Sequence, residues 1–233
     1  MTVEVCVLDS QIQFLQLGLE RTPLLVIDNV LLETDWLCQQ AQQAKFSGQA
    51  DNYYPGIRAV SPLVYQQAIT QALFPLLHNV FAPKATGLRT LMSAYSIATT
   101  GVQELRPIQM LPHFDTVEPL QLAMVHYLCS EEFGGTSFYR HNETGFERIT
   151  AARLPAYAGL LKQQAKAARL HERPGYMNGT TPLFERLHQV SAQMNRVVIY
   201  PGNLLHSGDI QAARLSADPT KGRLTISSFL QLY

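Results

Sequence analysis

Apolar positions along this chain follow two different periods, and the change falls near residue 88. Before it the spacing is helical. After Asp35, a residue suited to the positive end of a helix dipole, Leu37, Ala41 and Ala44 recur on one side, and Gln39, Gln40, Gln42 and Gln43 make the wet side. A second helix is predicted from Ser61-Pro62, a capping hydroxyl followed by proline at the first helical position. Tyr65, Ile69, Ala72, Leu73 and Leu76 form its apolar stripe, and Pro75, which lacks a backbone donor, predicts a kink or restart near Phe74. Ahead of both helices, 22–27 is a short apolar run closed by Asp28-Asn29, a first strand. From Leu88 alternation takes over, with Arg89, Leu91, Ser93, Tyr95 and Ile97 on one side and Leu88, Thr90, Met92, Ala94 and Ser96 on the other.

Further strands are predicted over 121–129, 135–140, 196–200 and 223–231. Several short strands punctuated by Gly and Pro indicate a mainly β fold with α, a barrel-like or double-sheet jelly roll braced by the N-terminal helices. Between these strands lies an excursion over 154–195. Its residues 157–170 have a helical composition, Arg173-Pro174-Gly175 breaks the run, and 182–192 suggests another helix. The expected organisation is one domain over 1–233: supporting helices and first strand in 1–87, jelly-roll core in 88–150 and 194–233, and a helical insertion, lid or partner surface, in 151–195.

Composition leaves this picture in place and narrows the setting. With 233 residues, 46% of them hydrophobic, the chain can bury one sizeable core. Formal net charge is zero, so no global field draws it to nucleic acid or an anionic membrane, and Lys162, Lys166, Arg169 and Arg173 read as a solvated face. Residues 1–18 lack the pattern of a signal peptide, and no apolar run approaches the roughly 20 residues of a bilayer span, so the expected location is cytoplasmic. Three cysteines, Cys6, Cys38 and Cys129, without CxxC spacing fit reduced thiols, a compartment that also suits ferrous iron.

Candidate chemistry centres on Leu111-Pro112-His113-Phe114-Asp115-Thr116. On an extended segment His113 and Asp115 point the same way and Phe114 the other. His206, which follows Tyr200-Pro201-Gly202 and would be brought in by folding, completes a 2-His-1-carboxylate set, the arrangement that holds Fe(II) on one face and leaves other positions open. The other histidines have plainer readings. His78 ends a helix, His126 is a satisfied sheet histidine, His171 and His188 face water in the insertion, and His141 is ambiguous. In the last strand Arg223, Thr225 and Ser227 share one face. A buried arginine is costly unless it meets an anion, which leaves two readings for Arg223: an internal salt bridge to Asp or Glu, or a bound carboxylate gripped by its planar fork. Residues 51–58, with Tyr53, Tyr54 and Arg58 among turn formers, are either a functional loop or a loop packed on by its tyrosines.

The order Tyr95, His113-x-Asp115, Gly134-Gly135-Thr136, Tyr200-Pro201-Gly202, His206 and Arg223-x-Thr225 resembles the core of the Fe(II)- and 2-oxoglutarate-dependent dioxygenases, and is most similar to their prolyl-hydroxylase-like branch. The resemblance covers 88–150 and 194–233 and implies a double-stranded β-helix core. It implies that His113, Asp115 and His206 bind iron, and that Arg223 takes the distal carboxylate of 2-oxoglutarate, helped by Thr225 and by Tyr95 or Tyr127. Gly134-Gly135 would introduce the strand beside the substrate mouth with no side chain to block approach. In one respect the chain departs from the family: residues 210–221 lengthen the loop between the distal histidine and the arginine, which makes Arg214 the nearer alternative to Arg223. The implied activity is hydroxylation of an unidentified small-molecule or peptide substrate with conversion of 2-oxoglutarate to succinate, ascorbate serving as accessory reductant. Tyr54, Arg58, Tyr139 and Arg140, with Tyr53 and His141, lie on segments expected to rim the mouth, where Arg58 or Arg140 would recognise a carboxylate or phosphate. Alternatives are a non-catalytic protein of this fold that holds metal or 2-oxoglutarate and bridges partners, and a cupin-like metalloenzyme that needs no oxoacid. A homodimer is left open.

Overall fold

The structure, a computed structural model, describes residues 3–6, 10–48 and 53–233. In chain order its elements are β1 (Gln11–Leu17), β2 (Thr22–Asp28), α1 (Asp35–Gln43), β3 (Gly56–Val60), α2 (Leu63–Phe81), β4 (Leu88–Ala98), β5 (Gln121–Tyr127) and β6 (Gly134–His141). There follow α3 (Leu154–Ala167), β7 (Phe184–Ser191), β8 (Arg196–Pro201), β9 (His206–Ile210) and β10 (Leu224–Leu232), with short 3-10 turns between. Seven strands form one antiparallel sheet in the order β1-β2-β8-β5-β10-β4-β3, and three form a second in the order β7-β6-β9. A single bridge between His113 and His206 extends the small sheet beyond β9.

The large sheet is covered on both faces, which is why β2 and β8 read as nearly continuous apolar runs. On one face Leu37 and Ala41 of α1 and Tyr65, Ile69, Leu73 and Leu77 of α2 pack against Ile27, Tyr95, Ile97, Met124, Ile199 and Ile226. On the other, Leu24, Val26, Tyr127, Val198 and Tyr200 meet Phe138, Val190 and Leu204 from the small sheet and its flank. A third cluster beneath α3 joins Tyr139, Ile149, Tyr157, Met177, Phe184 and Leu205. No helix among the described residues is long and apolar enough to cross a membrane.

The predicted strands at 22–27, 88–99, 121–129, 135–140, 196–200 and 223–231 all form. Four expectations are corrected. The helix expected over 182–192 is strand β7, because β6 offers it a full ladder from Gly135↔Ser191 to His141↔Phe184 and pairing overrides local propensity. The stretch 51–58 becomes strand β3 from Gly56 onward, while 51–52 lie outside the described residues. Strand β1 was not anticipated, and β9 is also additional. The helix α2 runs through Pro75 without restarting, and the Ser61 hydroxyl that was to cap it pairs instead with Ser93 Oγ at 2.7 Å, leaving Pro62 at the N-cap.

His126 is the satisfied sheet histidine the sequence predicts. Its Nδ1 lies 3.0 Å from the Tyr65 hydroxyl and its Nε2 3.3 Å from Asn195 Oδ1, tying β5 to α2 and to the turn before β8. Burial pushes its pKa down to about 4, against a small upward pull from Asn195. Because the folded value lies below the ordinary 6.5, the unfolded chain takes up the proton first as pH falls, and stability is lost from about pH 6.5 down through about pH 4. The loss assignable to His126 is on the order of 3 kcal/mol. In denaturation experiments between these limits, His126→Gln is expected to be less stable at neutral pH yet to show a shallower pH slope than wild type. His113 and His206 contribute to both slopes, so the difference isolates His126, and parallel slopes would reject the assignment.

Candidate metal centre

His113 and His206 face each other across their bridge, each backbone N–H donating to the other's carbonyl at 2.8 Å. Residues opposed in such a pair project to the same side, so the two imidazoles stand together with ring centroids 4.4 Å apart. Two residues on, the Asp115 N–H donates to the Gly202 carbonyl at 2.7 Å, so the turn leaving β8 fixes the carboxylate. His113 Nε2 then lies 3.9 Å from Asp115 Oδ1 and His206 Nε2 3.5 Å from Asp115 Oδ2. One ligand atom from each of the three residues falls within 4.8 Å of the others. Tyr200 sets its ring edge-on to His206 at 4.7 Å and is itself braced by Phe138 at 4.9 Å.

Protonation sharpens what this cluster can hold. His206 Nδ1 is 2.8 Å from the Leu204 carbonyl, which only accepts, so Nδ1 carries the proton and Nε2 presents a lone pair toward Asp115. Burial pushes His206 down to about 4, opposed by that backbone hydrogen bond. His113 borders the cavity with 48% of its side chain accessible, yet loss of bulk solvation, followed by the neighbouring His206, lowers it to about 4 as well. Burial raises Asp115 to about 6 despite the pull of His113 and Arg58. At neutral pH both imidazoles are therefore uncharged, His206 turns a lone pair toward an ionised Asp115, and Asp115 Oδ2 is buried without a hydrogen-bond partner among the described residues. A buried carboxylate facing an imidazole lone pair is unfavourable unless a cation sits between them, and two imidazoles with one carboxylate on one side fit a ferrous ion.

The cluster borders a cavity of about 550 Å³ lined by both sheets and α3. Arg223, just ahead of β10 and only 6% exposed, reaches into it. Its Nη2 donates to the Gly135 carbonyl at 2.8 Å, and its guanidinium lies 5.6 Å over the Tyr127 ring, whose hydroxyl is 2.6 Å from Thr136 Oγ1. Arg223 Nε is buried without a partner, and no carboxylate among the described residues stands within ion-pair distance, so the internal salt bridge is not formed. Arg214, the nearer alternative, is spent on Glu132 at 2.7 Å on the surface. The Tyr54 hydroxyl lies beside the Arg223 guanidinium, whose charge offsets part of the upward push that burial gives this phenol.

Other expected site residues are placed elsewhere. Tyr95 is turned to the helix layer, its hydroxyl donating to the Leu37 carbonyl at 2.9 Å, so it does not line the cavity. Thr225 donates its hydroxyl to the Ser96 carbonyl across the β10–β4 pair rather than to the cavity. Tyr139 is fully buried beneath α3 against Phe184, away from any rim. Arg140 is held by Glu147 and Glu185 at 2.6 and 2.8 Å, and His141 sits between Thr144 and Gln164. Gly134, at φ +104°, and Gly135 are needed for a different reason from the one expected: a Cβ there would collide with the Asp209 and Val190 carbonyls of the flanking strands, not with a substrate. Tyr53, Tyr54 and Arg58 do line the cavity. So do Tyr157 and Tyr176 from the 154–195 excursion, whose aromatic side chains in an otherwise Ala-, Lys- and Gln-rich stretch were the available signal.

Among solved structures, similarity extends over most of the chain. HygX from Streptomyces hygroscopicus, with nickel, 2-oxoglutarate and hygromycin B bound, is 13% identical with a TM-score of 0.49, covering 90% of this chain and 82% of that one. A prolyl hydroxylase in complex with a hypoxia inducible factor oxygen degradation domain peptide fragment, from Trichoplax adhaerens, is 11% identical with a TM-score of 0.46 over 90% of this chain and 83% of its own. The non-heme alpha-ketoglutarate-dependent epimerase SnoN from nogalamycin biosynthesis is 12% identical with a TM-score of 0.49 over 91% and 78%. No curated protein matches the chain. A family model matches residues 8–230, and the chain belongs to that family, a family of unknown function designated DUF6445.

Proposed function

We propose that this protein is an Fe(II)- and 2-oxoglutarate-dependent dioxygenase that hydroxylates a substrate while 2-oxoglutarate is converted to succinate. The observation that carries the reading is the convergence of His113, Asp115 and His206 on the wall of a cavity that also receives Arg223, a buried guanidinium with an unpartnered Nε. Iron and the oxoacid, when bound, supply the oxygen-activating chemistry. The chain's own tasks are narrower. His113, Asp115 and His206 hold the metal on one side, Arg223 grips the distal carboxylate, and Tyr127 and Gly135 hold the guanidinium in place. Tyr54 replaces Tyr95 as the tyrosine at the carboxylate end. The apolar and aromatic walls exclude water.

Chain connectivity supports a double-stranded β-helix, since the path runs from β4 in the large sheet to the His113 bridge in the small one, to β5, to β6 and β7, to β8, to β9 and to β10. The prolyl-hydroxylase-like branch rests on the motif order alone. Purified protein incubated in air with Fe(II), ascorbate and 2-oxoglutarate is expected to form succinate, and to stop doing so when the iron is chelated. A folded wild type that binds neither metal nor 2-oxoglutarate would overturn the proposal.

A further inference from the structure

Resting on that reading, a second cation in the cavity says what kind of substrate it takes. Arg58 lies on β3 opposite Ser96 and lines the cavity. Its Nε is buried without a hydrogen-bond partner, and no carboxylate among the described residues is within ion-pair distance of its guanidinium, which lies 4.6 Å over the Tyr54 ring. Burial, which disfavours its charge, is only partly offset by Tyr54 and by the more distant Asp115. Leaving a guanidinium in this state is costly unless an anion arrives to share its fork.

Charge bookkeeping in the cavity points the same way. The lining side chains charged at neutral pH are Arg58, Arg223 and Asp115. With a ferrous ion and a doubly charged oxoacid in place, one positive charge is left over, and Arg223 is already committed to the oxoacid. Most of the remaining lining is apolar or aromatic, including Ile108, Phe114, Tyr157, Leu161 and Phe229, with uncharged polar side chains such as those of Gln109, Thr136, Ser227 and Ser228. A volume of about 550 Å³ falls in the range of small-molecule sites, roughly 300 to 1,000 Å³, and a five-carbon diacid fills only part of it. We infer that the substrate is a small amphiphilic organic anion, a carboxylate or phosphate on an apolar or aromatic body, whose charged group docks on Arg58.

The test uses the full chain loaded with Mn(II) and 2-oxoglutarate, loading being measured first by calorimetry. Into this complex 3-phenylpropanoate, phenyl phosphate and the neutral 3-phenylpropanamide are titrated. At least one anion is expected to bind roughly tenfold or more tightly than the amide, and the tighter of the two identifies the charged group. Arg58→Met is expected to erase that preference while changing 2-oxoglutarate affinity by less than about threefold, and Arg58→Lys to keep part of it. Circular dichroism establishes that the variants fold, and if Arg58→Met does not, Arg58→Lys decides by whether the preference shrinks. Equal binding of amide and anions, no binding of any probe, or parallel loss of 2-oxoglutarate in the Arg58 variants would overturn the inference. Failure of the wild type to load Mn(II) and 2-oxoglutarate would instead sink the dioxygenase reading on which it rests.

Discussion

His206→Ala is expected to abolish tight Fe(II) binding while leaving a folded chain. The lost group is a neutral Nε2 whose direction is set by the Nδ1 hydrogen bond to Leu204, and the remaining pair, His113 and Asp115, retains only two of the three donors. Outside the cluster the imidazole meets only the Tyr200 ring and the Leu204 carbonyl among the described residues, and the His113 bridge is made by backbone atoms, so the fold should survive its loss. Metal bound to the native state alone stabilises it by about 2.7 kcal/mol at a hundredfold excess over Kd. Wild type should show an increment of that order in thermal denaturation with Fe(II) or Mn(II), and His206→Ala should show none. Wild-type metal occupancy in the variant would remove His206 from the site.

Arg223→Ala is expected to separate the oxoacid from the metal. A buried charge pair truncated on one side typically loses ~2–5 kcal/mol, so 2-oxoglutarate affinity should fall by roughly 30-fold to several thousand-fold. Metal affinity should stay near wild type, because no metal-binding atom touches the guanidinium. Arg223→Lys, which keeps the charge but not the planar fork, should lie between. Equal losses of metal and oxoacid would mean that Arg223 acts by holding Gly135 and Tyr127 in place rather than by meeting the ligand.

The candidate metal-binding cluster is legible in the sequence because two of its residues obey a local rule, the two-residue period of extended chain, and the third follows a strand and a Pro-Gly turn. Arg223 was legible for a similar reason: a charge at the start of an apolar strand demands a partner. Which tyrosine would stand beside it was not. Tyr95 and Tyr127 are the sequence's two candidates, and only the stacking of α1 and α2 on β4 shows that Tyr95 faces the helices while Tyr127 lies under the guanidinium. Arg140 was misplaced because Glu147 and Glu185, which hold it, come from the following turn and from β7. The Phe-Glu-Arg-Leu-His-Gln-Val-Ser pattern of that same strand is settled by pairing with β6 and not by local propensity, which favours a helix there. Strand β1 alternates over Gln11-Ile12-Gln13-Phe14, and as an edge strand it leaves that pattern exposed along most of its length, burying only Leu17.

The most direct measurement is an anomalous-difference map from crystals grown without oxygen in the presence of Fe(II) and 2-oxoglutarate. The structure predicts one iron peak at coordinating distance from His113 Nε2, His206 Nε2 and an Asp115 carboxylate oxygen, with the diacid reaching from the metal to the Arg223 guanidinium. Iron bound elsewhere, or an oxoacid that does not touch Arg223, would contradict it.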